Sequence, residues 1–434
     1  MSATSKTGRA ALVAASVGSR VPRDRDGRAR RPAEPPQGDL SHAEAQRDRE
    51  RRDMFWFGNA PEGWSVGKMR SVVYERREKF NRNEELIILS LLKDVGVIPY
   101  SEKGNIGNKS KDDHTQYKVA RKGDLVINSM NVIIGSVGIS PYDGYISPAY
   151  YSFAPRSDTC MGFIGYLCST RKFQKAVRCY AKGIMEIRLR VSSYDFLSMP
   201  IPLPPLPEQK AIVAYLDAET GRINKAIAAE EKMIALLQER REIVINEAVG
   251  GGERRNGWKM VPVKRVCTMQ AGKNLTSLEI QQTGEYPVYG ANGQRGWYGK
   301  YNCEGDFLLV GRQGALCGNV HHVDGRFWAT DHALITRTVE GVDISFAYYL
   351  FTAANFNQYA SQTAAQPGLA AGQILNVKVP FPPLPEQKEI VKRLDAETGK
   401  IDRAIEVKRR QIELLRERRQ IVIDEAVTGK VKVA

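Results

Sequence analysis

The sequence predicts an α+β fold: two mixed α/β domains separated by two long antiparallel coiled-coil helices with pseudo-twofold symmetry. Three observations carry this. One stretch of the 434 residues occurs twice, with most positions identical. Apolar residues within it fall at heptad spacing. The sequence ahead of each copy breaks into short apolar runs split by glycine.

The repeat comes first because it sets the boundaries. Residues 204–249 begin PPLPEQKAIVAYLDAETGRI and residues 382–427 begin PPLPEQKEIVKRLDAETGKI, an ungapped offset of 178 with 30 of 46 paired positions identical. In the first copy a proline-rich lead-in, Pro204-Pro205-Leu206-Pro207, stops the preceding element and puts proline in the first helical turn. Glu208 follows where a carboxylate favours the helix dipole. Leu216, Ile223, Ile227, Ile234, Leu237 and Val244 then recur at spacings of 7, 4, 7, 3 and 7. The second copy repeats them as Leu394, Ile401, Ile405, Ile412, Leu415 and Val422. Such spacing keeps one stripe facing a partner helix. About 40 residues at 1.5 Å each span roughly 60 Å, and a helix so long and polar is unstable alone. The other copy supplies the partner, so the twelve residues are the expected core of the helix pair. Gly221 and Gly399 weaken each helix early.

The segments ahead of the helices correspond less tightly. Gly63-Trp64-Ser65 is answered by Gly257-Trp258-Lys259, and Gly123-Asp124-Leu125-Val126 by Gly305-Asp306-Phe307-Leu308. In both, an apolar strand follows Gly-Asp and glycines recur at short intervals, as in a compact mixed domain with hairpins. The expected plan is a basic extension over residues 1–53, a first mixed domain over 54–203, a long helix over 204–250, a second domain over 251–381 and a second long helix over 382–434. Residues 1–53 hold 12 Lys or Arg, 8 Asp or Glu and few large apolar residues, so they bury no core and are expected to be disordered. They read either as a flexible basic arm or, as we favour, as the product of a start assigned upstream of Met54.

Composition narrows the function. The net charge of +15 favours a polyanionic partner such as nucleic acid. The six cysteines, Cys160, Cys168, Cys179, Cys267, Cys303 and Cys317, form no zinc-type spacing and read as reduced thiols. No long apolar run suggests a membrane span, so we expect a cytoplasmic chain with no membrane partner. There is no G-x-x-x-x-G-K-[ST] loop for ATP phosphates, no Asn/Asp-Pro-Pro-Tyr/Phe motif to hold an adenine amino group, and no convincing carboxylate–lysine cluster for a metal-dependent nuclease. His321, His322 and His332 lack supporting ligand spacing, so no metal and no catalytic residue is expected. The chain reads as a binder through which other proteins act.

Shared helices look like a frame, and divergent domains look like parts with different targets. If both domains touch one duplex, related helices fix the distance between their contacts. Candidate contacts to bases and phosphates are Lys109, Lys111, Arg121, Lys122, Asn128, Ser129 and Asn131 in the first domain. In the second they are Asn292, Gln294, Arg295, Lys300, Arg312, Gln313 and His332. The run Tyr289-Gly290-Ala291-Asn292-Gly293-Gln294-Arg295-Gly296 is loop-like and carries the donors and acceptors that direct readout uses.

On these residues the chain resembles the specificity subunits of type I restriction-modification systems, over about residues 58–430. The most specific part is the doubled Leu206-Pro207-Glu208-Gln209-Lys210-Ala211-Ile212-Val213 and Leu384-Pro385-Glu386-Gln387-Lys388-Glu389-Ile390-Val391. Further likeness lies in Gly305 to Arg312, in Trp328-Ala329-Thr330-Asp331-His332-Ala333 and in Gln366-Pro367-Gly368. The resemblance implies that residues 54–203 and 251–381 are target-recognition domains, each reading half of a split site in double-stranded DNA. It implies that the helices space them and dock two methyltransferase subunits, and that motor-nuclease subunits join for restriction. S-adenosylmethionine, ATP and magnesium would then serve the partners, and this chain would bind no cofactor. The alternatives are a DNA-recognition adaptor of a related modification or phage-defence system without a nuclease partner, and a coiled-coil scaffold that does not bind DNA.

Overall fold

A computed structural model describes residues 56–93, 95–104, 114–182, 189–250, 257–314, 317–360 and 368–433. The expected basic extension, Lys109 and Lys111 lie outside the described residues. The chain forms two compact units, residues 1–206 and 207–434.

In the first unit β1 (Ser65–Lys68) pairs antiparallel with β10 (Pro200–Leu203), in register from Ser65↔Leu203 to Lys68↔Pro200. Between them lie β2 (Val73–Glu75), β3 (Ile87–Leu92), β4 (Gly96–Pro99), β5 (Lys118–Ala120), β6 (Leu125–Asn128), β7 (Val137–Ile139), β8 (Gly144–Ile146) and β9 (Tyr150–Pro155). They make two four-stranded sheets, ordered β2-β9-β6-β7 and β4-β3-β8-β5. The pairing is antiparallel except for β3 with β8. Every residue of β6 is buried, and its first three, Leu125-Val126-Ile127, form a continuous apolar run rather than an alternating one. Three helices follow: α1 (Met161–Ser169), α2 (Arg171–Tyr180) and α3 (Ser193–Ser198). Thr170 caps α2 by accepting from the Phe173 N–H, and Ser192 caps α3 by accepting from the Asp195 N–H. Phe153 of β9 stacks on Phe196 of α3 with centroids 5.0 Å apart, and Phe173 of α2 meets Phe196 edge-on at 6.0 Å. Asp124 is 1 % exposed at its side chain, and the Arg76 guanidinium holds it through two bonds of 2.6 and 3.0 Å while Ser152 adds a third. A carboxylate so buried needs such company.

The second unit opens with α4 (Leu206–Val249) and ends with α7 (Leu384–Val427), the two copies of the repeat. The globular part between them repeats the first unit's plan. Its strands are β11 (Lys259–Pro262), β12 (Cys267–Ala271), β13 (Tyr286–Gly290), β14 (Gly293–Tyr298), β15 (Cys303–Glu304), β16 (Phe307–Gly311), β17 (Val320–Val323), β18 (Arg326–Ala329), β19 (Ala333–Thr338) and β20 (Lys378–Phe381). The sheets run β12-β19-β16-β17 and β14-β13-β18-β15, with a β11-β20 ribbon. Adding ten to each strand number of the first unit reproduces the second, down to one parallel pair, β13 with β18. Helices α5 (Ile344–Ala354) and α6 (Ala371–Leu375) complete it.

Both long helices run unbroken through Gly221 and Gly399. They lie antiparallel: Arg241 bonds Asp402 at 3.0 Å while Arg416 bonds Glu231 at 3.2 Å. Ile223, Ile227 and Ile412 are buried between them, with Ile234 and Leu415 packed alongside. The same stripe continues into the second domain. There Leu394 and Ile390 of α7, with Val244, Ile245 and Ala248 of α4, join a core built on Phe346, Leu350, Phe351 and Phe356. Leu394 and Val244 therefore contribute to that core, at the end of the seam. The Leu-Pro-Glu-Gln motif also has a local role. Gln387 is buried; its amide donates to the Pro382 carbonyl and its Oε1 accepts from the Asp343 N–H at 2.9 Å, while Asp343 caps α5. The motif thus ties the start of α7 to the start of α5. The fold class expected from the sequence is the one found. Cys168, Cys267, Cys303 and Cys317 are buried free thiols; burial pushes Cys267 up to about 12 and Cys303 up to about 11.

Candidate nucleic-acid interface

In the second unit, backbone hydrogen bonds gather several loops at one end of the two sheets. The loop after β16 is fixed by Gly311 N–H to Asn319 O and Gly318 N–H to Gly311 O, each 2.8 Å. Gly318 has φ +89° and a Cβ there would lie 2.4 Å from the Asn357 nitrogen, so only glycine fits. Arg312 N–H donates to His332 O at 2.8 Å, and Leu369 N–H donates to Arg312 O at 2.9 Å. Thr330 N–H donates to Tyr289 O, which brings the β18–β19 turn against the β13–β14 hairpin. At that hairpin Asn292 accepts from the Asn319 amide at 3.3 Å. Gly290 leaves room for Arg295, whose Cδ would be 2.7 Å from a Cβ.

Asn292, Arg295, Arg312, Gln313 and His332 are thereby brought together, with Gln294 on the adjoining stretch of β14. Asn292, Gln294, Arg295 and Gln313 are exposed, and Arg312 and His332 are half-buried. Lys300 is exposed beyond the far end of β14, six residues or about 20 Å away, and does not belong to this cluster.

Three neighbours that sequence reasoning missed complete it. His321 Nε2, Thr330 Oγ1 and Asp331 Oδ1 are buried without a hydrogen-bond partner among the described residues. An unpartnered buried polar atom is costly, about 1–3 kcal/mol, and three of them line this one end of the domain. Burial holds His321 below the usual imidazole range, so at neutral pH it offers one donor and one acceptor rather than a charge. Thr330 and Asp331 lie in the run Trp328 to Ala333, but their lack of partners among the described residues is a property of the fold.

In the first unit the candidates divide between the two ends of β6. Arg121 and Lys122 precede it, and Asn128, Ser129 and Asn131 end or follow it. Arg121 is gripped by two carboxylates, Glu84 at 2.6 Å and Glu78 at 2.8 Å, which raise its pKa and match its charge. Lys122 is exposed. Asn128 and Ser129 are buried, and Asn128 Oδ1 accepts from the Met130 N–H at 3.1 Å; Asn131 is exposed. This loop joins β6 to β7 as the Arg312 loop joins β16 to β17, so it is the same loop of the shared topology. Among the described residues no group of three or more His, Cys, Asp or Glu is placed to hold a metal, and no helix is long and apolar enough to cross a membrane.

Comparison with known families decides what the doubled plan is. The family described as "Type I restriction modification DNA specificity domain" matches residues 61–232 and again 255–415. The chain belongs to this family. Each specificity domain match runs from a globular part into the long helix that follows it. Among its relatives, the Escherichia coli type I restriction enzyme EcoprrI specificity subunit is 32% identical over 244 residues, 54% of this chain and 60% of that protein. The Methanocaldococcus jannaschii MjaVIII specificity subunit is 28% identical over 55% of this chain and 63% of its own length. The matches thus span less than two-thirds of these two relatives. The EcoKI specificity subunit of Escherichia coli K12 is 23% identical over 78% of this chain and 82% of its own. In fold, the chain is similar to one solved in a study of complex assembly and conformational transition of the type I R-M system. The TM-score is 0.65 at 19% identity, covering 86% of this chain and all of that one.

Proposed function

We propose that this chain is the sequence-specific DNA-binding subunit of a type I restriction-modification complex. It reads a bipartite duplex site and directs adenine methylation and restriction by partner subunits while catalysing nothing itself. The observation that carries this is the double occurrence of a DNA specificity domain, at residues 61–232 and 255–415, each continuous with the same helix. Two readers of one topology but different loops suit two half-sites of different sequence.

Arg312, Gln313 and His332, with Asn292, Gln294 and Arg295, are the proposed contacts to one half-site, and Lys300 is a phosphate contact. Lys122 and Asn131 are the corresponding exposed candidates in the first domain, and Lys109 and Lys111 are further candidates there. The net charge of +15 supplies the long-range attraction. The partners are two methyltransferase subunits and motor-nuclease subunits, which carry S-adenosylmethionine, ATP and magnesium, and the setting is the cytoplasm. The helix pair supports two equivalent docking sites. Exposed Leu236 and Ile243 of α4 recur as exposed Leu414 and Ile421 of α7 at the same repeat positions. One apolar pair offered twice is what two copies of one partner require.

The test is a genome-wide map of methylated adenines with and without the gene. Methylation at one gapped two-part sequence that vanishes with the gene is the expected result. An unchanged map, or DNA binding without sequence preference at any salt concentration, would overturn the proposal.

A further inference from the structure

The seam between α4 and α7 carries charges that differ between the copies at positions where the apolar stripe does not. Under the 178-residue offset Glu230 and Lys408 are equivalent positions, and they touch: Nζ to Oε2 is 2.9 Å. This ion pair therefore sits on the pseudo-twofold axis of the helix pair. Off the axis, Glu231 meets Arg416 at 3.2 Å, and the symmetry-related positions hold Gln238 and Arg409. Arg241 meets Asp402 at 3.0 Å, and its mate Arg419 donates to Asn224 at 3.0 Å.

Consider the same geometry built from like helices. Two copies of α7 would set Lys408 against Lys408 and, twice, Arg409 against Arg416; only Asp402 with Arg419 would stay favourable. Two copies of α4 would set Glu230 against Glu230 and leave Glu231 facing uncharged Gln238. The apolar residues cannot distinguish these cases, because Ile223, Ile227, Ile234 and Leu237 of α4 are Ile401, Ile405, Ile412 and Leu415 of α7. A duplicated helix is by origin able to pair with itself, and something must select the unlike partner.

We infer that the charges along this seam are a pairing code: α4 accepts α7 and rejects a second α4, and α7 rejects a second α7. The surface thus fits this chain's other helix and disfavours association of two chains through like helices. One of the axial charges is Lys and its equivalent is Glu, and this single difference turns a self-complementary seam into one that needs both halves. The inference rests on the seam alone and stands apart from the proposed DNA function.

The test uses the full chain in three variants, melted and followed by circular dichroism at about 0.01 M salt, where the Debye length is about 30 Å. The like-basic variant carries Glu230→Lys, Glu231→Arg and Gln238→Arg. The like-acidic variant carries Lys408→Glu, Arg409→Glu and Arg416→Gln. The exchange variant carries all six. All these residue types have similar helix propensity, so charge is the variable. The like-basic chain should melt about 5–10 °C below the parent, the like-acidic chain about 2–5 °C below, and the exchange variant within about 2 °C of it. At about 1 M salt, where the Debye length is about 3 Å, the differences should shrink by at least about half. A like-basic chain that melts with the parent, an exchange variant as unstable as the like-basic one, or gaps untouched by salt would each overturn the code. Should the like-basic chain fail to fold, the exchange variant carries the same three substitutions. Its folding would support the inference and its failure would overturn it.

Discussion

Between α4 and α7, 30 of 46 residues are identical; between the two globular domains the residues differ, yet every strand has its counterpart in the same sheet order. The two kinds of likeness have different physical origins. A coiled seam is specified by particular side chains, because each copy must meet the other and a shifted stripe buries charge. A sheet scaffold is specified by burial pattern and turn geometry, which many residues satisfy. The globular domains are therefore free to change their loops, and the helices are not. Even where a motif survives in both domains its environment has diverged. Gly123-Asp124 and Gly305-Asp306 hold the same place ahead of the central strand, but Asp124 is buried against Arg76 whereas Asp306 is exposed and meets His322 at 2.6 Å.

That pair gives the sharpest way to break the comparison. Asp124→Ala should destabilise the first domain by about 3–5 kcal/mol, because it removes the buried acceptor of Arg76, Ser152 and the Arg121 N–H and leaves Arg76 only the exposed Glu78. Asp306→Ala should cost less than about 1 kcal/mol. Denaturant melts of the two variants measure both, and equal losses would mean that the two domains use the motif alike. In the helices the expectation is the reverse, near-equality: Leu216 and Leu394 are both fully buried, and Leu216→Ala and Leu394→Ala should each cost about 2–5 kcal/mol. A silent result at either would show that the repeat is not structurally matched.

Smaller effects separate the two candidate interfaces. Arg312→Ala should leave stability within about 0.5 kcal/mol of the parent and weaken discrimination at one half-site by about 1–3 kcal/mol, read from methylation maps or competition binding. A uniform loss on all DNA would assign Arg312 to a phosphate instead. Arg121→Ala should change DNA binding less than Arg312→Ala, since Glu78 and Glu84 already match its charge. The smallest effect is in pH. His321 has a lowered pKa in the folded chain, so below its ordinary value near 6.5 the unfolded state binds more protons. Stability from this group is full above about pH 6.5 and declines as the pH falls through the folded value. His321→Gln should flatten the stability profile below about pH 6.5, measured by urea midpoints; an unchanged slope would place the pH dependence elsewhere.

What the sequence made legible follows the same division. The long helices could be read residue by residue because heptad spacing is a local signal and the repeat shows it twice. Ile223, Ile227 and Ile412 form one buried cluster of the two helices. The ends of the stripe were harder, since nothing local tells a residue that its neighbour is another helix or, as for Leu394, a Phe346 core. The shared strand order was only faintly visible, in Gly-Asp and Gly-Trp pairs at offsets of 182 and 194, different from each other and from the 178 of the helices. Among candidate contacts, Gly-flanked Arg312 could be seen as loop-borne. That Arg121 is held by Glu78 and Glu84, 43 and 37 residues earlier, could not. Nor could the absence, among the described residues, of partners for His321, Thr330 and Asp331, which is set by the fold.

The ribbons β1–β10 and β11–β20 have a consequence of their own. Ser65 is registered against Leu203, and Lys259 against Phe381, so the chain goes into and comes out of each globular body at points only about 5 Å apart. In the second body the two prongs of this ribbon follow α4 and precede α7, like a cassette on a two-pronged plug. Any polypeptide whose ends meet at the same spacing could be inserted there without moving a turn of the helix. The ribbon thus lets each globular body change as a unit while the helical frame stays the same.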